Sequence, residues 1–257
     1  MSAVILHPTD WLAELRSHIA PLHEVPNSDH DPFYSGWPMN YYEGLAQIRK
    51  VVLGNAVESF WYALINVVLT HLFPSDSGFL VLPQPVPARD HREATDSMIF
   101  WIRMVASSPK REGRGYVIVV WEAKPEWAYG SFSGEMEADN QMRTRLLDVS
   151  RTWDQEAPLI IGISSFGPRF HVYTKFRGKH IQPPRRSNDA MYESEDVWPG
   201  SHHQFIIHRE SGHKALELVR DICLEILQHE MGPVVLEHVH ALIQSLKASE
   251  GDERERT

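Results

Sequence analysis

Apolar residues recur along the chain with two periods, one typical of helices and one typical of strands. The helical period predicts five helices, at residues 8–20, 44–73, 135–154, 212–230 and 234–247. The second of these reads as one long helix, or as two helices with a break near Gly54. Its later half is apolar on nearly all sides, so we expect it to be buried.

Strand-like segments lie between these helices. They are found at residues 78–91, 96–106, 116–124, 158–167 and 168–176. The prolines of 78–91 place that segment at a sheet edge or in a loop. The continuous apolar run of 116–124, YVIVVWEAK, predicts a central strand covered on both faces. The order of elements predicts an α/β fold in which helices flank a central mixed β-sheet.

Composition indicates one sizeable core. The chain has 257 residues, of which 42% are hydrophobic and 23% charged, so we expect one domain with decorations. The net charge of −9 argues against tight, nonspecific wrapping of nucleic acid. It leaves an enzyme open, because carboxylates that hold metal ions add to the acidic count.

The compartment is predicted from what the sequence lacks. Cys223 is the single cysteine, so an internal disulfide and thiolate zinc fingers are excluded, and we expect an inert core thiol. The start of the chain does not resemble a signal peptide. No apolar run reaches about 18 residues, so no membrane span or membrane partner is expected. These features predict a protein of the cytoplasm or nucleus.

Three polar residues occupy the ends of two predicted strands. Asp96 opens one strand, and Glu122 and Lys124 close the next. Period two puts Glu122 and Lys124 on one face, and antiparallel pairing of the strands brings Asp96 beside them. Two close carboxylates need a cation, and Mg²⁺ or Mn²⁺ suits oxygen ligands, to which the Ala123 carbonyl can add. Lys124 can orient a water or offset charge on a phosphate.

This arrangement, D96-x25-E122-A123-K124 followed by an amphipathic helix, resembles the PD-(D/E)XK nuclease superfamily over residues 44–176. Thr95 stands where many members have proline. The resemblance implies a restriction-endonuclease-like core, with Glu58 of the preceding helix as a further acidic site residue. It also implies a polar residue on the following helix, for which Gln141 is the best match, with Asn140 and Glu137 as competitors.

The resulting organisation has five parts. They are an N-terminal helix and arm (1–43), a nuclease-like core (44–176), a polar loop (177–204), C-terminal helices packed on the core (205–247) and a disordered tail (248–257).

Other polar groups offer weaker alternatives. No HExxH motif accompanies the fifteen histidines, among them His202, His203, His208 and His213, so a zinc site has little support. Cationic residues could contact phosphates or form a solvated face; they are Lys110, Arg111, Arg114, Arg143, Arg145, Arg185 and Arg186. Trp127 and Tyr129 could stack on a base or pack their loop against the sheet.

We therefore expect a metal-dependent nuclease that hydrolyses phosphodiester bonds of DNA or RNA. Asp96, Glu122, Glu58 and the Ala123 carbonyl are the expected metal ligands, and Lys124 positions the attacking water. The alternative is a catalytically inactive nuclease-like scaffold that binds protein or nucleic acid. A homodimer or a protein partner could use the C-terminal helices.

Overall fold

A computed structural model describes residues 17, 32–51, 58–74, 76–83, 99–104, 117–153, 157–184 and 205–231. The helices are α1 (Met39–Val51), α2 (Glu58–Leu72), α3 (Phe132–Asp148) and α4 (Glu210–Met231). The strands are β1 (Phe79–Pro83), β2 (Ile99–Met104), β3 (Val117–Lys124), β4 (Leu159–Phe166), β5 (Arg169–Phe176), β6 (Ile181–Gln182) and β7 (Phe205–Ile206).

The seven described strands form one mixed sheet in the order β1-β2-β3-β4-β5-β6, and β7 also pairs with β5. The β1–β2, β2–β3 and β4–β5 pairs are antiparallel. The β3–β4 pair is parallel, and α3 forms the crossover between its strands. A parallel pair needs such a connection, because a tight turn can only join antiparallel neighbours. The protein is thus an α/β fold with a mixed, open sheet flanked by helices.

The central position of β3 and the edge position of β1 confirm two predictions from the sequence. In β3 every residue from Val117 to Ala123 is buried, and all of β4 is buried. A strand covered on both faces needs a continuous apolar run, which β3 has. At the sheet edge, Pro83 ends β1, where its missing N–H costs little.

Helix α3 packs directly on β4 because of Gly162. A Cβ at Gly162 would lie 2.6 Å from Met142 Sδ and 3.0 Å from Leu146 Cδ1, both on α3. Met142, Leu146 and Val149 form the buried stripe that their helical spacing predicts. The opposite face of the central strands is also buried, and α2 contacts β1, β3 and α4.

A short segment before α1, residues 32–38, is held against the start of α4. The Tyr34 N–H donates to the His208 carbonyl at 3.0 Å, and the Glu210 N–H donates to the Pro32 carbonyl at 3.0 Å. Trp37 Nε1 donates to the Ile207 carbonyl at 2.9 Å. We call residues 32–38 the N-terminal clasp, because they join the segment before α1 to the start of α4.

Several element bounds differ from the predictions. Helix α1 begins five residues before the predicted start at 44, and α3 begins at Phe132 rather than at 135. The α3 start follows from its cap: Ser131 Oγ accepts a hydrogen bond from the Gly134 N–H at 3.2 Å. Strands β6 and β7 were not predicted, because two residues cannot show an alternating pattern.

Some predictions fall outside the described residues. These are the helix at 8–20 apart from Ser17, the possible break near Gly54, the helix at 234–247, the tail and most of the polar loop. In the part of the chain that is described, no helix is long and apolar enough to cross a membrane. Cys223 is buried, as predicted, and burial raises the pKa of its thiol far above the usual range.

Candidate functional site

The candidate site lies where β3 ends. Glu122 and Lys124 are on the same face of β3, and Lys124 Nζ is 3.7 Å from Glu122 Oε1. The Glu122 side chain is 2% exposed and the Lys124 side chain 13% exposed. Burying two charges is costly, and such a pair is seldom kept for stability alone. The site therefore has a buried carboxylate beside a cation that still reaches solvent.

The described start of β2 lies directly beside Glu122. In the antiparallel β2–β3 pair, Ile99 is the residue opposite Glu122. Asp96 precedes Ile99 by three positions and lies outside the described residues. Ala123 is buried and points to the other face, so only its main chain could serve the site.

Of the two site candidates on helices, Glu58 and Gln141, the side chain is described only for Gln141. Glu58 is the first residue of α2, and its side chain is not described. Gln141, on α3, donates from Nε2 to Glu137 Oε1 at 2.8 Å. Gln141 Oε1 is buried and has no hydrogen-bond partner among the described residues. Asn140 and Glu137 are both exposed.

Helix geometry sets the direction of Gln141. Asp139 and Arg143 lie on the side of α3 that faces β5, because both contact Tyr173 of β5. Gln141 is two positions from each of them, which is about 200° around the helix. It therefore lies on the flank toward β3, because β3 and β5 are on opposite sides of β4.

Two buried polar residues that sequence reasoning missed extend the site across the sheet. Ser164 of β4 is the register partner of Glu122, and His171 of β5 is opposite Ser164. All three are on one face, and they are 2%, 1% and 5% exposed. Neighbouring strands are about 4.8 Å apart, so this row spans about 10 Å. The available signal was a polar residue within an apolar strand, as in LIIGISSF.

A ring contact and a set of hydrogen bonds connect His171 to Pro183, the residue just after β6. The His171 ring contacts the Tyr173 ring edge-on at 4.7 Å, and Tyr173 Oη donates to Asp139 Oδ1 at 3.1 Å. Arg143 Nε donates to both Asp139 oxygens, and its Nη2 donates to the Pro183 carbonyl at 2.9 Å. Burial, followed by the Asp139 charge, raises the pKa of Tyr173 well above its usual value. Arg143, a candidate phosphate contact, is thus engaged within the fold.

Glu135 is a second buried carboxylate that was not selected from the sequence. It lies in the first turn of α3, is 2% exposed, and accepts a hydrogen bond from the Gly130 N–H at 2.9 Å. Burial raises the pKa of Glu135, and the Gly130 hydrogen bond opposes this shift. Its contact with the preceding loop gives it a structural task at the start of α3.

Trp127 and Tyr129, the two aromatic candidates in the loop after Lys124, have different surroundings. Tyr129 packs against Phe166 with ring centroids 6.1 Å apart, and the Arg169 guanidinium lies 4.9 Å from the Tyr129 ring centre. Trp127, in the short 3₁₀ helix Glu126–Ala128, is 77% exposed. Tyr129 therefore packs its loop on the sheet, whereas Trp127 is presented to solvent.

The described residues do not include a preformed cluster of metal ligands. No three of the described His, Cys, Asp and Glu residues are grouped so that they could hold a metal ion. The described part excludes Asp96 and the side chain of Glu58, as well as His202 and His203. His208 and His213 lie against aromatic rings of the N-terminal clasp.

Comparison with models of protein families, with characterised proteins and with solved structures found no match.

Proposed function

We propose that this protein is a Mg²⁺- or Mn²⁺-dependent nuclease with a restriction-endonuclease-like core of the PD-(D/E)XK type. The observation that carries the proposal is the buried Glu122 beside Lys124, at 3.7 Å, at the end of a central strand. The motif D96-x25-E122-A123-K124 supplies the same residue types that a phosphodiesterase of this kind uses.

The sheet supports this proposal by its strand directions. Three successive antiparallel strands followed by a helix and a parallel strand are the order that the family resemblance implies. Ile99 is opposite Glu122 in the β2–β3 pair. Asp96 is three positions before Ile99, so their Cα atoms can be at most about 11 Å apart. The chain is therefore long enough for Asp96 to reach the same end of β3.

The donor set fits a hard divalent cation. Glu122 contributes carboxylate oxygens, and we assign Asp96, Glu58 and the Ala123 carbonyl as the other oxygen ligands. A divalent ion held by these residues would supply a Lewis acid that lowers the pKa of a water and polarises a phosphoryl oxygen. Lys124 keeps its ammonium beside the carboxylate, where it donates hydrogen bonds to the attacking water and offsets charge on the phosphate. Gln141 lies on the α3 flank toward β3 and orients the substrate or the water.

The direct test is cleavage of labelled single- and double-stranded DNA and RNA with Mn²⁺, with Mg²⁺ or with EDTA. We expect metal-dependent cleavage that falls at least about 100-fold in both variants, because Lys124→Ala removes the cation that offsets phosphate charge and Asp96→Ala removes a metal ligand. Lys214→Ala is the matched control, since Lys214 is 69% exposed and pairs with Glu210 on α4.

Calorimetry with Mn²⁺ completes the test. Binding should be lost in Glu122→Gln, which preserves the size of the side chain but removes its charge. Cleavage that persists in Lys124→Ala or Asp96→Ala contradicts the mechanism. If wild-type protein neither binds Mn²⁺ at millimolar concentration nor cleaves, the non-catalytic scaffold is the better description.

A further inference from the structure

We propose that Trp127 is a stacking platform for an unpaired base, so that the substrate is single-stranded nucleic acid or a duplex with an unpaired segment. This inference rests on the nuclease function proposed above, because it places the base beside the strand held at Lys124. The stacking surface is the exposed face of Trp127; Tyr129 packs the same turn onto the sheet, and Arg169 lies over the Tyr129 ring.

The backbone on both sides of Trp127 is anchored. The Gly167 N–H donates to the Lys124 carbonyl at 3.1 Å, which ties the end of β3 to the β4–β5 turn. Gly167 has φ +56° and carries no Cβ; one placed there would lie 2.8 Å from Glu126 Cβ, so the two loops are in close contact. On the other side, Ala128 is buried with Phe166 and Ala138. A fixed backbone thus carries a side chain that is 77% exposed.

An exposed indole on an anchored turn suits base stacking. A tryptophan side chain exposed to water does not stabilise the fold by burial. Every nucleobase, however, has a flat face that can stack on an indole. Such a platform loses little conformational freedom when a base binds, because its backbone is already held. Trp127 is three positions after Lys124, so their Cα atoms are at most about 11 Å apart.

Charge near the platform favours a phosphate backbone. Lys124 and Arg169 lie at the same level of the sheet, one on each side of Phe166. The Arg169 guanidinium lies over the ring of Tyr129, two positions after Trp127, which fixes a cation on the turn that carries the indole. Glu126 is the acidic residue of this turn, and its Cβ lies toward Gly167. Two cations and an aromatic face are the usual elements of a single-strand binding groove.

Fluorescence anisotropy in EDTA tests the inference without cleavage. The probes are fluorescein-labelled oligo(dT), oligo(U) and a blunt duplex of equal length. We expect the wild type to bind the single strands more tightly than the duplex, and Trp127→Ala to raise the Kd for the single strands about ten-fold or more. Trp127→Phe keeps an aromatic face and should stay within about three-fold of the wild type. The DNA and RNA probes separate the two sources of the unpaired base.

Leu80→Ala is the matched control, because Leu80 is an exposed apolar residue at the other end of the sheet. It is 47% exposed and is aligned through Arg103 of β2 with Val117, the first residue of β3. This variant should bind like the wild type. Equal binding by Trp127→Ala and the wild type, or no preference for single strands, overturns the inference.

The outcome also separates the inference from the nuclease proposal. Normal single-strand binding by Trp127→Ala, together with Mn²⁺-dependent cleavage by the wild type, refutes stacking and leaves the nuclease intact. Binding that depends on Trp127 without any metal-dependent cleavage refutes the nuclease and leaves the stacking surface. Trp127→Ala should unfold in urea like the wild type, because its side chain is exposed.

Discussion

The imidazole of His213 is packed between aromatic rings of the N-terminal clasp. It is stacked on Tyr34 with centroids 3.5 Å apart and meets Trp37 edge-on at 5.1 Å. His213 Nδ1 is 3.3 Å from Glu217 Oε2. Burial lowers the pKa of His213 and outweighs Glu217, which raises it; more weakly, His71 and Arg220 lower this pKa and Glu210 raises it. The fold therefore favours the neutral imidazole.

This shift predicts a loss of stability in acid. A pKa lowered in the folded state means that the unfolded chain binds the proton more readily once the pH falls below the usual histidine pKa of 6.5. The stabilisation is complete above that value and is lost as pH falls through the folded-state pKa. Urea denaturation from pH 5 to 8 should show a smaller acid loss in His213→Phe than in wild type. His180→Phe, at an exposed position, is the control, and equal slopes in all three contradict the prediction.

At the scale of elements, the contact between α3 and β4 depends on one missing side chain. Gly162→Val should destabilise the protein by about 1–3 kcal/mol, because its branches overlap Met142 and Leu146. Gly162→Ala should cost less, since the Met142 thioether can move. In a double-mutant cycle, Met142→Ala should be less damaging in the Gly162→Val background than in the wild type. Additive effects would show that Gly162 does not set this contact.

The elements that the sequence predicted are those with a sustained pattern. The apolar run before Glu122 is long enough to identify a buried central strand, and the stripe through Met142 and Leu146 identifies α3. The pairing of Glu122 with Lys124 on one face follows from the strand period alone. Ser164 and His171 gave no such signal, because each is a polar residue in a buried strand whose register only the folded sheet defines. Glu135 gave none either, because it lies at the start of α3 next to the exposed Met136 and Glu137.

For the whole molecule, local patterns predicted the layers but not all of their connections. Helix α3 between two apolar strands implies the parallel β3–β4 pair, since a crossover of this kind joins parallel strands. The position of β7 beside β5 comes from two residue pairs between segments distant in the chain. The N-terminal clasp is likewise held by long-range backbone hydrogen bonds, for which hydrophobic periodicity carries no information.

Trp37 is the buried aromatic residue of the clasp whose side chain hydrogen-bonds to the segment just before α4. It is 3% exposed, and its indole N–H donates to the Ile207 carbonyl. Trp37→Ala should lower the free energy of unfolding by about 3–5 kcal/mol, whereas Trp37→Phe should lose mainly the buried hydrogen bond, about 1–3 kcal/mol. Trp127→Ala is a control with the same change of residue at an exposed site, where the effect should stay within about 0.5 kcal/mol. Urea denaturation measures all three.

Because domains are stable by only about 5–15 kcal/mol, Trp37→Ala should also open the clasp to limited proteolysis. Equal unfolding midpoints for Trp37→Ala and Trp127→Ala would mean that the clasp does not hold the fold together.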